Sequence, residues 1–212
     1  DWEHLYIGAR ADNDTHMVVA SHNIRERFIQ GRDLPAKDDT NMPRAASDDW
    51  PVIACTLDMG TVSRPVSRVM AIAYDDLYSI EYMHKKLRPW YYREHGDFAS
   101  MLKDNIGRYD QIRKACAEFD EKLLTDAARI GGPAYERLVA LSYRHTWASG
   151  KIVVSPEGAE PWVFNKENFS NGCMATVDVS YPQSPFLALF SPDLLNGLIA
   201  PVFEYAQSEA WP

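Results

Sequence analysis

The residues best equipped for chemistry lie between Lys166 and Asp178, in the order Lys166-Glu167-Asn168-Phe169-Ser170-Asn171-Gly172-Cys173-Met174-Ala175-Thr176-Val177-Asp178. Two carboxylates, two primary amides, an ammonium and two hydroxyls stand between apolar runs, Trp162-Val163-Phe164 before and Phe186-Leu187-Ala188-Leu189-Phe190 after. Those flanks predict burial, and a polar group taken from water without a partner costs about 2–7 kcal/mol. If Glu167 and Asp178 converge, burial and mutual repulsion hold their pKa values apart and make one the acid and the other the base. On an amide, such a base activates water while the acid protonates departing ammonia. On a glycosidic bond the same pair flanks the scissile oxygen, and its separation sets retention or inversion. The spacing leaves both chemistries open. The plainer alternative pairs Glu167 with Lys166 or an arginine and uses Asp178 to cap local backbone.

Around this pair, Lys166 suits a substrate carboxylate or stands solvated. Asn168 and Asn171 each offer a donor and an acceptor to an amide or hydroxyl; equally, Asn171-Gly172 suits a positive-φ corner. Ser170 has no base assigned to it, and neither the strand-elbow glycine pattern nor a Ser-Lys arrangement accompanies it. Aromatic side chains crowd residues 78–92, marking packing between domains or the wall of a pocket; Tyr82 and Trp90 are the candidates for substrate contact. Asp75, Asp76 and Glu81 read as a structural network. His145, inside a helical pattern, reads as a packed or surface histidine. Asp38, Asp39, Asp48 and Asp49 lie in a long polar loop, but they lack the alternating oxygen ligands of a helix-loop-helix calcium motif and read as a solvated turn. No metal or cofactor is expected.

The elements that must position these residues follow from apolar spacing. Strands are expected at 5–9, 16–20, 51–60 and 69–74, while 23–29 fits helix or strand equally. Apolar residues at 98, 101, 102, 106, 109, 112, 116, 119 and 123 predict a single amphipathic helix of about thirty residues. Gly107 is its weak position, costing about 1 kcal/mol relative to alanine. Gly131-Gly132-Pro133 then turns the chain into a second helix over 134–149, antiparallel to the first. A small hairpin is expected from 151–154 and 161–164. Ser191-Pro192 starts a third helix, bent at Pro201. Its apolar face has no later partner in the sequence, which suggests missing faces supplied by further chain or another subunit.

With 212 residues, 46% hydrophobic and 25% charged, the chain is long enough for one sizeable core or two small ones and is not disordered by default. A formal charge of -8 argues against nucleic acid as a partner. No apolar run reaches the length of a bilayer span. The start at Asp1-Trp2-Glu3, without methionine, suggests a processed product or a fragment. Cys55, Cys116 and Cys173 are too few and too far apart for a disulfide framework or structural zinc; three buried thiols, or one bridge and a free thiol, remain open.

The segments Pro43-Arg44-Ala45 through Trp50-Pro51-Val52, Tyr74-Asp75-Asp76 with Tyr78-Ser79-Ile80-Glu81-Tyr82, and Lys166–Gly172 with Thr176-Val177-Asp178-Val179 carry a likeness. From about residue 30 onward the chain resembles the secreted glutaminase A-like proteins of fungi and bacteria. The resemblance implies an α+β fold, with a β-rich, sandwich-like region over 1–84 leading into a helical region over 85–212. That second region would be the first part of an α/α toroid of hairpins like those of six-hairpin glycosidases. It implies hydrolysis of glutamine to glutamate and ammonia; the residues' own chemistry supplies Glu167 and Asp178 as catalytic candidates and Lys166, Asn168, Asn171, Tyr82 and Trp90 as substrate contacts. The partner expected is a small molecule, glutamine or a saccharide, and the location secreted or periplasmic, with outer-surface association left open. A carbohydrate-active hydrolase and a noncatalytic part of a larger secreted protein stand as alternatives.

Overall fold

In the computed structural model, which describes residues 3–10, 14–167 and 169–211, the chain is α+β, with strands first and long helices after. It divides into two units, Leu5–Ala73 and essentially everything from Tyr74 onward.

In the first unit, β1 (His4–Ala9) pairs with β4 (Met70–Asp75), and β2 (Thr15–Ala20) lies antiparallel to β3 (Val52–Leu57). Thr15 stands opposite Leu57 and Ala20 opposite Val52. The segment that periodicity left undecided is a short helix, α1 (Ile24–Ile29), whose Ile24 is buried along with Val18 and Ala20. The polar loop after it is laced to β2: Val19 donates its N–H to Asp38 (2.8 Å), and Asp39 donates its own to the Val19 carbonyl (2.8 Å). Arg44 pairs with both Asp39 (3.4 Å) and Asp49 (3.3 Å). These acids therefore serve the loop's own fold. Among the described residues, no group of three or more His, Cys, Asp or Glu gathers as a metal would require.

The second unit is built on a hairpin, β7 (Gly150–Val154) and β8 (Pro161–Asn165), with Lys151 opposite Phe164 and Val153 opposite Trp162. Side chains alternate along a strand. Trp162 and Phe164 therefore join Val153 on one face, against Ile80 and Leu87 of a smaller hairpin, β5 (Ile80–Tyr82) and β6 (Lys85–Leu87). Val163 turns the other way, to Leu187 and Leu198. Burial on both faces explains the unbroken run Trp162-Val163-Phe164.

Two short helices, α2 (Tyr91–His95) and α3 (Phe98–Gly107), lead into α4 (Tyr109–Ala148). Asp97 caps α3, accepting from the Ser100 N–H at 2.7 Å. The single helix expected from residue 98 is therefore interrupted: α3 ends at Gly107 and Arg108 leaves helical geometry at φ -95, ψ 9. Gly107, a poor helix former, is the last residue of α3 before that break. The expected antiparallel pair is present within α4, which folds back at Gly132 (φ 73, ψ -174). A side chain at Gly131 would meet Tyr135 at 2.5 Å, so the corner also has no room for one. The rings of Phe119 and Tyr143, on opposite limbs, lie 5.2 Å apart. A straight helix would hold them about 36 Å apart.

The next helix, α5 (Val177–Phe190), was not legible, because Pro182 and Pro185 sit inside it. Both prolines are exposed, as are Asp178 and Tyr181, whose carbonyls lose their helical partners there. Water can serve those carbonyls, while buried Leu187 and the rings of Phe186 and Phe190 against Tyr143 hold the helix in place. The predicted third helix is α6 (Pro192–Gln207), with proline at its start, although the Ser191 hydroxyl makes no capping bond. Gly197 lets α6 lie directly on β8: an added Cβ would fall 2.1 Å from the Pro161 carbonyl oxygen. Cys55, Cys116 and Cys173 are all free, and the latter two are exposed, so the chain has neither a bridge nor three buried thiols. Among the described residues, no helix is long and apolar enough to cross a membrane.

Candidate functional site

β8 delivers the polar loop to the end of α4. Its last residue, Asn165, is buried, and the Lys166 N–H donates to the Ser149 carbonyl at 2.9 Å. The loop then closes on itself. Lys166 bridges to Met174, the Glu167 N–H donates to the Cys173 carbonyl (3.2 Å), and the Ala175 N–H returns to Asn165 (2.9 Å). The left-handed residue of the corner is Ala175 (φ 56), rather than Gly172 as Asn171-Gly172 had suggested.

Glu167 is the hub of this loop. Its Oε2 accepts from the Asn171 amide (2.6 Å) and the Ser170 hydroxyl (3.1 Å), and its Oε1 from the Thr176 hydroxyl (3.2 Å). All three partners are neutral; the pairing with Lys166 or an arginine is not what forms. Hydrogen bonds from Asn171 and Ser170, and then Thr176, hold the Glu167 carboxyl below its ordinary range. Stabilising the charged form in this way keeps it ionised at neutral pH and makes it a weaker base than an ordinary glutamate. A carboxylate has about four acceptor positions, so Oε1 keeps one unused. Asn171 completes the arrangement by accepting the Cys173 N–H on its other side at 2.7 Å.

Beside Glu167 opens a cavity of about 580 Å³, lined by His145, Thr146 and Ala148 from α4, Ser149 at its C-cap, Lys166 and Glu167 from the loop, and Val179, Pro182 and Gln183 from α5. Gln183 is anchored there by donating to the Thr146 carbonyl at 3.3 Å. Lys166 and Glu167 thus share one opening, and Asn171 supports it from behind. Asp178 is exposed on the first turn of α5 and makes no hydrogen bond or ion pair among the described residues. It lies one helical turn before Pro182, on the same side of the helix, but is not among the residues lining the cavity, so the two acids do not share it. Asn168 lies outside the described residues.

The two aromatic candidates are elsewhere. Tyr82 packs against Trp162 (5.2 Å between centroids) and donates its hydroxyl to the Pro201 carbonyl (2.8 Å), tying the small hairpin to α6. Trp90 lines a separate cleft with Pro161, Asp193 and Leu194. Asp75 is buried and accepts from the hydroxyls of Tyr91 and Tyr92 (2.8 Å each) and the Leu77 N–H (3.0 Å). Burial, then the bond to Asp75, pushes the Tyr91 phenol well above its ordinary range. Burial raises Asp76, but hydrogen bonds from Lys151 and Ser79 and the charges of Lys151 and Lys166 outweigh it and hold the carboxyl low. His145, Thr146 and Gln183 are the cleft residues that sequence reasoning missed. The one signal available was that His145 sits a helical turn before Gly150, where α4 ends and β7 begins.

Residues 1–126 match the domain of unknown function DUF5127, and residues 132–212 match the glutaminase A six helical-hairpin domain. A protein of Aspergillus oryzae named "Glutaminase A" is 27% identical over 195 residues, covering 90% of this chain and 28% of that protein. One of Arthroderma benhamiae, named "Probable glutaminase", is 26% identical over 231 residues, covering 100% of this chain and 26% of that protein. The chain spans about a quarter of the length of these curated relatives. No solved structure matches.

Proposed function

We propose, from the premise that this chain belongs to the glutaminase A-like family, that it forms part of an amidohydrolase acting on the side-chain amide of glutamine. The observation that carries this reading is that Lys166 and an ionised Glu167 line the same open cleft. Lys166 suits the α-carboxylate of free glutamine. The unused position on Glu167 Oε1 takes a proton from water as the water oxygen bonds to the amide carbon. The carbon–nitrogen bond then breaks, and the same proton passes from Glu167 to the leaving nitrogen, giving glutamate and ammonia. The new carboxylic acid passes its proton to ammonia, and exposed Asp178 attracts the ammonium that results. Family membership supports a secreted or periplasmic setting. The division into a β-rich region over 1–84 and a helical one over 85–212 is proposed on the same ground, with the rest of the hairpin ring supplied by further chain.

The test is ammonia release from glutamine by the protein and its Glu167→Gln and Lys166→Gln variants. Loss of a general base lowers kcat by about 10²–10⁴-fold, so that is the effect expected of Glu167→Gln. Lys166→Gln should act mainly on KM. Full activity in Glu167→Gln, or turnover of an oligosaccharide with none of glutamine, would overturn the reading.

A further inference from the structure

On a chain of formal charge -8, four cations gather around one cavity of about 580 Å³ in the second unit. Lys85, Lys86, Arg88 and Arg93 line it with Tyr78 and Tyr92, and no aspartate or glutamate is among its lining residues. Of these, Lys86 is already engaged: it lies over Tyr78 at 5.7 Å and stands opposite Glu81 across the β5–β6 hairpin.

Arg88 is the fixed point. Its backbone is held on the sheet, the Val154 N–H donating to the Arg88 carbonyl at 2.9 Å. Its guanidinium lies over Tyr92 at 4.8 Å and over Tyr78 at 5.2 Å. The Tyr92 ring is itself fixed, because its hydroxyl bonds buried Asp75. Cation–π contact thus orients Arg88 without consuming its N–H groups. Among the described residues, its guanidinium makes no hydrogen bond or ion pair. Arg93, across the cavity, donates to the Gly158 carbonyl and lies over Trp90 at 5.5 Å. A planar fork of donors, pre-set by aromatic rings and walled by further cations, matches an oxyanion. The entropy of ordering such a fork is already met before anything binds.

We propose that this cleft is a binding site for a small molecule carrying two negative charges on oxygen, either a phosphate or sulfate group or a pair of carboxylates. Arg88 takes the oxyanion through paired N–H bonds, and Lys85 and Lys86 supply the remaining charge. The site is separate from the Glu167 cleft and does not depend on the reading given to it.

Calorimetric titration of the protein at low ionic strength with inorganic phosphate, sulfate and succinate tests this, with sodium chloride at matched ionic strength as control. Saturable single-site binding of at least one dianion is expected. Arg88→Gln should weaken it about tenfold or more, through loss of the charge-assisted fork. Lys85→Gln/Lys86→Gln leaves the Arg88 stacks on Tyr78 and Tyr92 intact and should weaken binding several-fold; it decides the matter if Arg88→Gln fails to fold. Glu167→Gln should bind as the parent does, which separates this site from the catalytic proposal. Phosphate or sulfate binding without succinate points to a phosphorylated or sulfated ligand, and the reverse to a dicarboxylate. No dianion binding above the chloride control, or equal binding by the basic-cleft variants, would overturn the proposal.

Discussion

Asp75 and Glu167 each collect three neutral donors, yet they do opposite work. Asp75 is buried, and every donor it holds comes from the β4–α2 corner: two phenols and a backbone amide. Glu167 sits in a surface loop, takes its donors from Ser170, Asn171 and Thr176, and lines an open cavity. The same ligation stiffens a core in one place and keeps a carboxylate ionised beside an open cavity in the other. Accessibility separates them, rather than the identity of the partners.

The strongest way to break this contrast is to remove the buried member. Asp75→Ala strands two phenols and an amide, at about 1–3 kcal/mol for each unsatisfied buried group, so a loss of roughly 3 kcal/mol or more is expected in urea unfolding. The effect should be far larger than that of Glu167→Ala, whose donors can all turn to water. Comparable losses for the two would erase the distinction. Next in size, Gly197→Ala forces a methyl into the Pro161 carbonyl and should cost about 1–3 kcal/mol through overpacking. Tyr91→Phe removes one bond to Asp75 while keeping the ring, and a loss of about 1–2 kcal/mol is expected.

The smallest effect is on pH dependence. Because the folded pKa of Glu167 is depressed, the loop gains stability that is fully present above the unfolded value and is lost as pH falls through the folded one. Resistance of the 166–176 loop to proteolysis should therefore decline below the ordinary carboxylate range. Asn171→Ala removes the shortest donor and should move that decline to higher pH. An unmoved profile would mean that Asn171 does not set the charge of Glu167.

Much of the scaffold could be read from residue types. The strands expected at 16–20 and 69–74, found as Thr15–Ala20 and Met70–Asp75, and the reversal at Gly131-Gly132-Pro133 followed from short apolar runs and glycine chemistry. The polar loop was legible as a candidate because so many donors and acceptors lie between apolar flanks. Its wiring was not: nothing in the order Glu167, Ser170, Asn171, Thr176 says that all four meet at one carboxylate. α5 was hidden by Pro182 and Pro185, whose helical cost is outweighed by long-range packing of Phe186 and Leu187 that local spacing does not record. His145 and Gln183 reach the cleft through that same packing, and were hidden with it.

Whether Glu167 is an ionised base that substrate can reach is read directly in the acid limb of kcat/KM for glutamine. The prediction is a limb lying below the ordinary glutamate range in the parent protein, shifted upward in Asn171→Ala, with activity collapsed in Glu167→Gln. Identical limbs in the parent and Asn171→Ala, together with undiminished turnover in Glu167→Gln, would contradict it.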